Sequence, residues 1–129
     1  MSEFRKKYNI EERKKLSENI LSKYEDKIPI YLSIDKDVLI SVNPLLKKNI
    51  NRYIVSSSLT FLQFISIVKK KINIKPEESL TLFIEHYNKD KIMDTILCPI
   101  SSSIQSIYLS YKDRDDFLYL KLIKENVFG

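Results

Sequence analysis

Three residue types that often take part in chemistry occur only once in this sequence: glycine, cysteine and histidine. The glycine is the last residue, Gly129, whereas an average chain of this length would contain roughly nine. A genome rich in A and T would deplete glycine codons, but it would not explain why the one remaining glycine lies at the end. Because glycine has no Cβ, its carbonyl carbon can enter a narrow groove and be attacked from either face. Gly129 is therefore the first candidate for a reacting group.

The single cysteine, Cys98, and the single histidine, His86, leave little scope for a catalytic or metal centre. One cysteine forms neither an intramolecular disulfide nor a cysteine metal cluster, and this usage favours the cytosol. We therefore expect no bound metal, no cofactor and no chemistry at either residue.

Length and composition indicate one globular domain. The chain has 129 residues, of which 43% are hydrophobic and 30% are charged, and both fractions are ordinary for a folded protein. We expect no membrane span, because no run reaches ~18 apolar residues. We also expect neither a secretory signal nor N-myristoylation. The net charge of +5 is compatible with nucleic acid, an anionic membrane or acidic peptides, and it does not choose among them.

Hydrophobic periodicity predicts the secondary structure. Residues 10–24 have helical spacing and predict an amphipathic helix, with a short helical piece before it. The segments 28–34, 52–56, 80–84 and 117–123 predict four strands. Thr60 and Gln63 form a capping-box pattern at the start of a helix that runs to about Ile72, and 101–108 predicts a short helix. We expect loops at 35–51 and 85–99.

This order of elements predicts an α+β fold, a ubiquitin-like β-grasp with an N-terminal helical extension. The last strand is expected to be central, with its tail projecting into solvent. We divide the chain into the helical extension, 1–27, and the β-grasp domain, 28–129, which together form one compact unit. A tail that ends in glycine is what a conjugated modifier needs.

Several segments, taken in order, point to a family. The clearest are 111–120 (YKDRDDFLYL) and 125–129 (ENVFG), supported by 4–8 (FRKKY), 27–30 (KIPI), 52–55 (RYIV) and 59–64 (LTFLQF). In these segments the chain resembles the autophagy-related ubiquitin-like modifiers of the GABARAP and microtubule-associated protein light-chain group. The sequence departs from the family pattern in the longer segments 35–51 and 85–116. It also has Ser56 where the family usually has proline, and Asp116 where it has glycine.

The resemblance implies that Gly129 is the point of conjugation. An activating enzyme adenylates the terminal carboxylate, and thioesters to cysteines of the activating and conjugating enzymes follow. The amine of phosphatidylethanolamine then displaces the conjugating enzyme. The chain would be a substrate and not an enzyme, cytoplasmic at first and attached to autophagosomes or related vesicles after lipidation. Its glycine carries the free carboxylate in this sequence, so no prior proteolysis would be needed unless residues beyond it have been removed.

The resemblance also implies a docking surface for receptors or adaptors that carry aromatic-x-x-aliphatic peptides, which add a strand beside 52–56. Alternation places Arg52 and Ile54 on one face of that strand and Tyr53 and Val55 on the other. The implied aromatic pocket consists of Ile20, Pro29, Tyr31, Arg52, Ile54 and Phe117. The implied aliphatic pocket consists of Tyr53, Val55, Leu59, Phe64 and Ile67. Basic contacts to flanking acids are assigned to Lys27, Lys47, Lys48 and Lys71.

Three alternatives remain open at this point. A nucleic-acid-binding module is disfavoured, because Lys69 and Lys71 point about 200° apart on a helix and no RNA-binding aromatic motif accompanies them. Conjugation to a protein lysine is disfavoured by the Phe128-Gly129 ending, since the protein-conjugated relative typically ends in Trp-Gly. A scaffold that keeps the peptide groove without conjugation is the third alternative. No nucleic acid partner is expected.

Overall fold

The computed structural model describes residues 3–39, 51–74, 78–87, 90 and 92–124, and its elements alternate between helices and strands. In chain order they are α1 Glu3–Lys7, α2 Ile10–Lys23, β1 Lys27–Ile34, α3 Lys36–Leu39, β2 Arg52–Ser56, α4 Phe61–Lys71, β3 Leu80–Tyr87, β4 Met93–Leu97, α5 Ile104–Tyr111 and β5 Leu118–Lys124.

Within the described residues, the strands form one five-stranded sheet in the order β2-β1-β5-β3-β4. The parallel pair β1 and β5 lies at its centre, with Ile30 opposite Leu118, and the other neighbouring pairs are antiparallel. The last strand is therefore central, as the sequence predicts, and the ubiquitin-like fold class is confirmed.

Two parts of the secondary-structure prediction are wrong. The segment 85–99 was expected to be a loop, but β3 continues to Tyr87 and a fifth strand, β4, pairs with it from Phe83–Leu97 to Tyr87–Met93. The polar run that precedes β4 hides it in the sequence, although β4 itself contains Met93, Ile96 and Leu97. The expected loop 35–51 begins with the short helix α3, and its turn signal at 43–44 lies outside the described residues.

The helices begin where side chains cap their first turns. Thr60 and Gln63 form the expected capping box, in which the Gln63 N–H donates to Thr60 Oγ1 and the Thr60 N–H donates to Gln63 Oε1. Asn9 and Glu12 form a second capping box at the start of α2. Each cap satisfies backbone donors that the first helical turn would otherwise leave unpaired.

The sheet has an inner face covered by α4 and α5 and an outer face that carries the N-terminal helices. The inner face holds the main core, in which Ile30, Phe61, Phe64 and Leu120 are fully buried. The outer face holds a second, aromatic cluster with buried Phe4, Tyr31, Phe117 and Tyr119, against which Tyr8, Leu16 and Ile20 pack. Burial of both faces explains why β1 is almost continuously apolar.

A buried ion pair ties the helical extension to the sheet. Arg13 of α2 donates to Asp115 Oδ2 over 2.8 Å, and the Asp115 side chain is fully enclosed. The same carboxylate accepts the Tyr119 hydroxyl and the Phe117 N–H, while Ser17 Oγ donates to the Asp115 carbonyl. Burial raises the pKa of Asp115, and the hydrogen bonds from Tyr119 and Phe117 oppose that rise.

A second arginine fixes α1 to the same region. The Arg5 guanidinium bonds Asp113 over 2.9 Å and lies over the Tyr119 and Tyr87 rings, at 3.9 and 4.6 Å from their centroids. The turn before β5 is closed by Asp116, whose φ of 66° is in the left-handed region where glycine has no steric penalty. This conformation accounts for the glycine that the family pattern has at this position.

Replacing Arg13 with alanine is expected to lower the free energy of unfolding by about 3–5 kcal/mol, because it leaves the Asp115 carboxylate buried without its cation. The measurement is chemical denaturation of each variant. Lys14→Ala is the matched control on the same helix, since Lys14 bonds Asp116 at the surface and should contribute less than about 1 kcal/mol. Equal losses for the two variants would contradict the assigned role of Arg13.

Candidate functional site

The strand β2 forms one edge of the sheet, and no strand in the described part of the chain pairs with its outer side. Leu32 N–H donates to Asn51 O and Ser57 N–H donates to Asp26 O, and the residues of each pair lie directly opposite one another. Hydrogen-bonded pairs alternate along an antiparallel ladder, so Tyr53 and Val55 bond to β1. The N–H and C=O groups of Arg52 and Ile54 therefore face the open side.

The register also explains how Pro29 is accommodated. The sequence places it at a strand start or on an edge, and the structure places it near the start of β1, which is an inner strand. Pro29 lies opposite Ile54 in a pair without hydrogen bonds, so its nitrogen faces β5, and pairing with β5 begins only at Ile30. No ladder hydrogen bond is lost.

The six residues assigned to the aromatic pocket lie together on the outer face. Tyr31 and Phe117 are buried in the aromatic cluster, with Ile20 packed beside them. On the neighbouring strand, Arg52 lies opposite Tyr31, and the half-exposed Ile54 lies opposite Pro29. Whether they bind a peptide remains a prediction, but their proximity is a property of the fold.

The five residues assigned to the aliphatic pocket lie on the inner side of β2, on α4 and in the connection between them. Tyr53 and Val55 are buried, and the Tyr53 ring contacts the Phe64 ring edge-on at 5.3 Å between centroids. Phe64 is fully enclosed, so it supports the pocket from behind, whereas Ile67 is 40% exposed. Leu59, in the connection between β2 and α4, packs against the main core.

Exposed cations border this edge. Lys71 Nζ lies 4.5 Å from the Tyr53 ring centroid, and the Arg52 guanidinium lies over the Phe4 and Tyr8 rings on the other face. Lys27 is exposed opposite Ser56 at the end of the β1–β2 ladder. The predicted basic contacts Lys47 and Lys48 lie outside the described residues.

The predicted conjugation residue, Gly129, also lies outside the described residues, which end at Lys124 in β5. Lys124 is the last residue of the central strand, and its Nζ lies 2.6 Å from Glu78 Oε1. The strand β5 pairs with β1 as far as Leu122 and with β3 as far as Lys124, so the sheet fixes the position of Lys124.

The sequence prediction missed the residues that hold the outer face in place. Arg13 is on the apolar stripe of the first long helix, and a charged residue in such a stripe was the available signal of a buried ion pair. Its partner Asp115 stands in a run of charged residues, where nothing in the sequence distinguishes it from its exposed neighbours. Phe4, which stacks on Tyr31 at 5.0 Å, was also not assigned to the pocket.

The five-stranded sheet, its crossing helix and the N-terminal helices define a ubiquitin-like protein with a helical extension. A sequence model of the family described as "Autophagy protein Atg8 ubiquitin like" matches residues 12–129. The chain is 34% identical to Autophagy-related protein 8 of Schizosaccharomyces pombe, over 99% of this chain and 94% of that protein. It is 33% identical to Autophagy-related protein 8 of Emericella nidulans, over 99% and 97% of the two chains. The chain belongs to the Atg8 family of autophagy-related ubiquitin-like proteins.

The fold is shared with a solved structure as well. The crystal structure of Trypanosoma brucei ATG8 matches with a TM-score of 0.73, covering 100% of this chain and 99% of that one at 24% sequence identity. This similarity supports the fold, while the sequence matches establish the family. Among the described residues, no helix is both long and apolar enough to cross a membrane.

Cys98 is buried, whereas His86 is half-buried. Cys98 is 3% exposed, and burial raises the pKa of its thiol to about 12. The His86 ring contacts the Tyr111 ring edge-on at 5.5 Å between centroids. A thiol with so high a pKa is almost entirely protonated at neutral pH, and the protonated form is a poor nucleophile.

The Cys98 thiol is expected to react with a disulfide reagent at pH 8 at least about a hundredfold more slowly in the folded protein than in denaturant. Two causes act together, since burial both suppresses the thiolate and blocks access to it. Stopped-flow absorbance of the released thiol measures both rates. Similar rates in the two states would show that Cys98 is an accessible nucleophile.

Proposed function

We propose that this protein is a modifier conjugated through the Gly129 carboxyl group to phosphatidylethanolamine, and that it acts in autophagosome formation. An activating enzyme adenylates the carboxylate, and cysteines of the activating and conjugating enzymes carry it as a thioester. The lipid amine then attacks the thioester carbon, an amide bond forms, the C–S bond breaks, and the amine loses a proton. The chain supplies the acyl group and is not an enzyme.

Family membership and the position of β5 support this proposal. The family match extends to residue 129, and the last described residue, Lys124, closes a strand held on both sides. Gly129 lies five positions after Lys124 in the sequence, and an extended chain covers at most about 18 Å in five steps. That reach is enough to place the terminal carbonyl in the groove of a separate enzyme while the folded body stays outside.

The second half of the proposal is that the edge of β2 binds an aromatic-x-x-aliphatic segment of a receptor or adaptor as an added strand. The observation that carries it is an open strand edge with a candidate pocket on each side of the sheet. Successive residues of a strand point to opposite faces, so side chains three positions apart do as well. A peptide with this spacing would direct its aromatic residue to the outer pocket and its aliphatic residue to the inner one.

Charge supports the choice of partner. Lys27 and Lys71 are exposed at the border of the edge, and Arg52 is exposed on its outer face. Acidic residues flanking the peptide would therefore meet positive charge at each end of the groove, which raises the association rate more than the affinity. The interaction is expected to weaken with added salt.

Replacing Gly129 with alanine is expected to abolish the lipid-linked form in cells, because a Cβ would crowd the carbon that is attacked. Mass spectrometry of the C-terminal peptide measures the product and separates a lipid adduct from a link to a protein lysine. Asn126→Ala is the control, since it alters the same tail and keeps the terminal glycine. An undiminished lipid adduct in the alanine variant would refute conjugation through Gly129.

Replacing Ile54 with aspartate is expected to weaken binding of an aromatic-x-x-aliphatic peptide at least about tenfold, because it places a charge on a surface that the peptide would dehydrate. Titration calorimetry measures the affinity. Leu97→Asp is the matched control, since Leu97 is 63% exposed on β4 at the opposite edge of the sheet. If both variants bind like the parent protein, the docking surface does not lie at β2.

A further inference from the structure

The ladder between β1 and β2 places one more backbone donor on the open edge. Lys27 and Ser56 lie opposite each other between the hydrogen-bonded pairs Ile28–Val55 and Asp26–Ser57. Lys27 and Ser56 are therefore a pair without mutual hydrogen bonds, and the Ser56 N–H points away from β1. It points in the same direction as the N–H groups of Arg52 and Ile54.

The groups around Ser56 show where the open edge ends. The Ser56 carbonyl accepts the Leu59 N–H at 3.3 Å, and the next N–H, that of Ser57, donates back to Asp26 O at 2.9 Å. The Ser56 N–H is thus the last outward donor of the strand. The side chain is engaged separately, because Ser56 Oγ and Ser58 Oγ are hydrogen-bonded at 3.0 Å.

We propose that the Ser56 N–H is a third peptide-binding position of the β2 edge and donates to the main-chain carbonyl of the aliphatic residue of the docked segment. This inference rests on the proposed peptide-binding function and extends it by one hydrogen bond. Proline at this position would lack the donor. With serine at position 56, the peptide strand stays hydrogen-bonded to β2 as far as the aliphatic residue of the peptide. With proline there, the hydrogen bonds to β2 would end at Ile54.

The order of the two pockets identifies the accepting carbonyl. Along β2 the aromatic-pocket residues Arg52 and Ile54 precede Val55 and Leu59 of the aliphatic pocket, so the peptide runs parallel to β2. With the aromatic residue opposite Arg52, the aliphatic residue three positions later lies opposite Val55 on the inner face. In a parallel ladder, the N–H of a residue donates to the carbonyl of the residue just before the one that lies opposite it. The peptide residue opposite Ser56 directly follows the aliphatic residue, so the Ser56 N–H donates to the carbonyl of the aliphatic residue.

Amide hydrogen exchange measured by NMR on the complete chain tests the inference directly. The probe is a synthetic aromatic-x-x-aliphatic peptide with acidic flanks, at a concentration about one hundred times its Kd. In the free protein, Ser56 is expected to exchange faster than Ser57, whose N–H is already bonded within the sheet. With the peptide, exchange at Ser56 is expected to slow at least about tenfold, together with exchange at Arg52 and Ile54.

The pattern of protected amides distinguishes a failure of this inference from a failure of the proposed peptide binding at β2. Protection of Arg52, Ile54 and Ser56 together supports the third position. Protection of Arg52 and Ile54 with Ser56 unchanged overturns it and leaves the proposed docking function intact. If the peptide protects none of these three amides, the proposal of strand addition at β2 is wrong, and the inference about Ser56 is wrong as well.

Two substitutions at the same residue give a second test. Ser56→Ala keeps the N–H and removes the hydroxyl, so peptide affinity should stay within about twofold. Ser56→Pro removes the N–H, which β1 does not use, and affinity should fall about 2- to 10-fold. Thermal melts of both variants report whether the fold persists. A folded proline variant with parental affinity would overturn the inference.

Discussion

The architecture depends on the buried carboxylate of Asp115. This one side chain accepts hydrogen bonds from Arg13 of α2, from the Tyr119 hydroxyl of β5 and from the Phe117 N–H. An isolated charge at that depth would cost far more free energy than the fold can supply, so the ion pair forms only when helix and sheet meet in one arrangement. The pair thereby fixes where the N-terminal extension lies on the β-grasp sheet.

The proposed docking surface depends on that placement. Packing of α1 and α2 on the outer face forms the aromatic cluster around Tyr31 and Phe117, while α4 closes the inner face behind Tyr53. Between these two packed faces, no strand of the described residues pairs with the outer side of β2. The central strand of the same sheet, β5, ends the described part of the chain at Lys124, five positions before Gly129.

The sequence predicts most of the fold because its signals there are local. The capping box at Thr60, the amphipathic spacing of the first long helix and the β-branched strands each depend on neighbouring residues, and the structure confirms them. The strand β4 was missed because its stability comes from pairing with β3, which composition does not reveal. The Arg13–Asp115 pair was missed because it joins residues 102 positions apart. The pocket residues were assigned through family resemblance, and alternation along 52–56 predicts the two faces of β2, but only the structure shows which helices complete each face.

The central claim is that the carboxyl group of Gly129 is the reacting group of a ubiquitin-like modifier. The most direct measurement is reconstitution with purified activating and conjugating enzymes, a nucleoside triphosphate and vesicles that contain phosphatidylethanolamine, followed by intact-mass spectrometry. The account predicts a thioester with the conjugating enzyme's cysteine and then a product heavier by one lipid molecule less one water. A protein that stays at its starting mass, with no thioester at any stage, would contradict it.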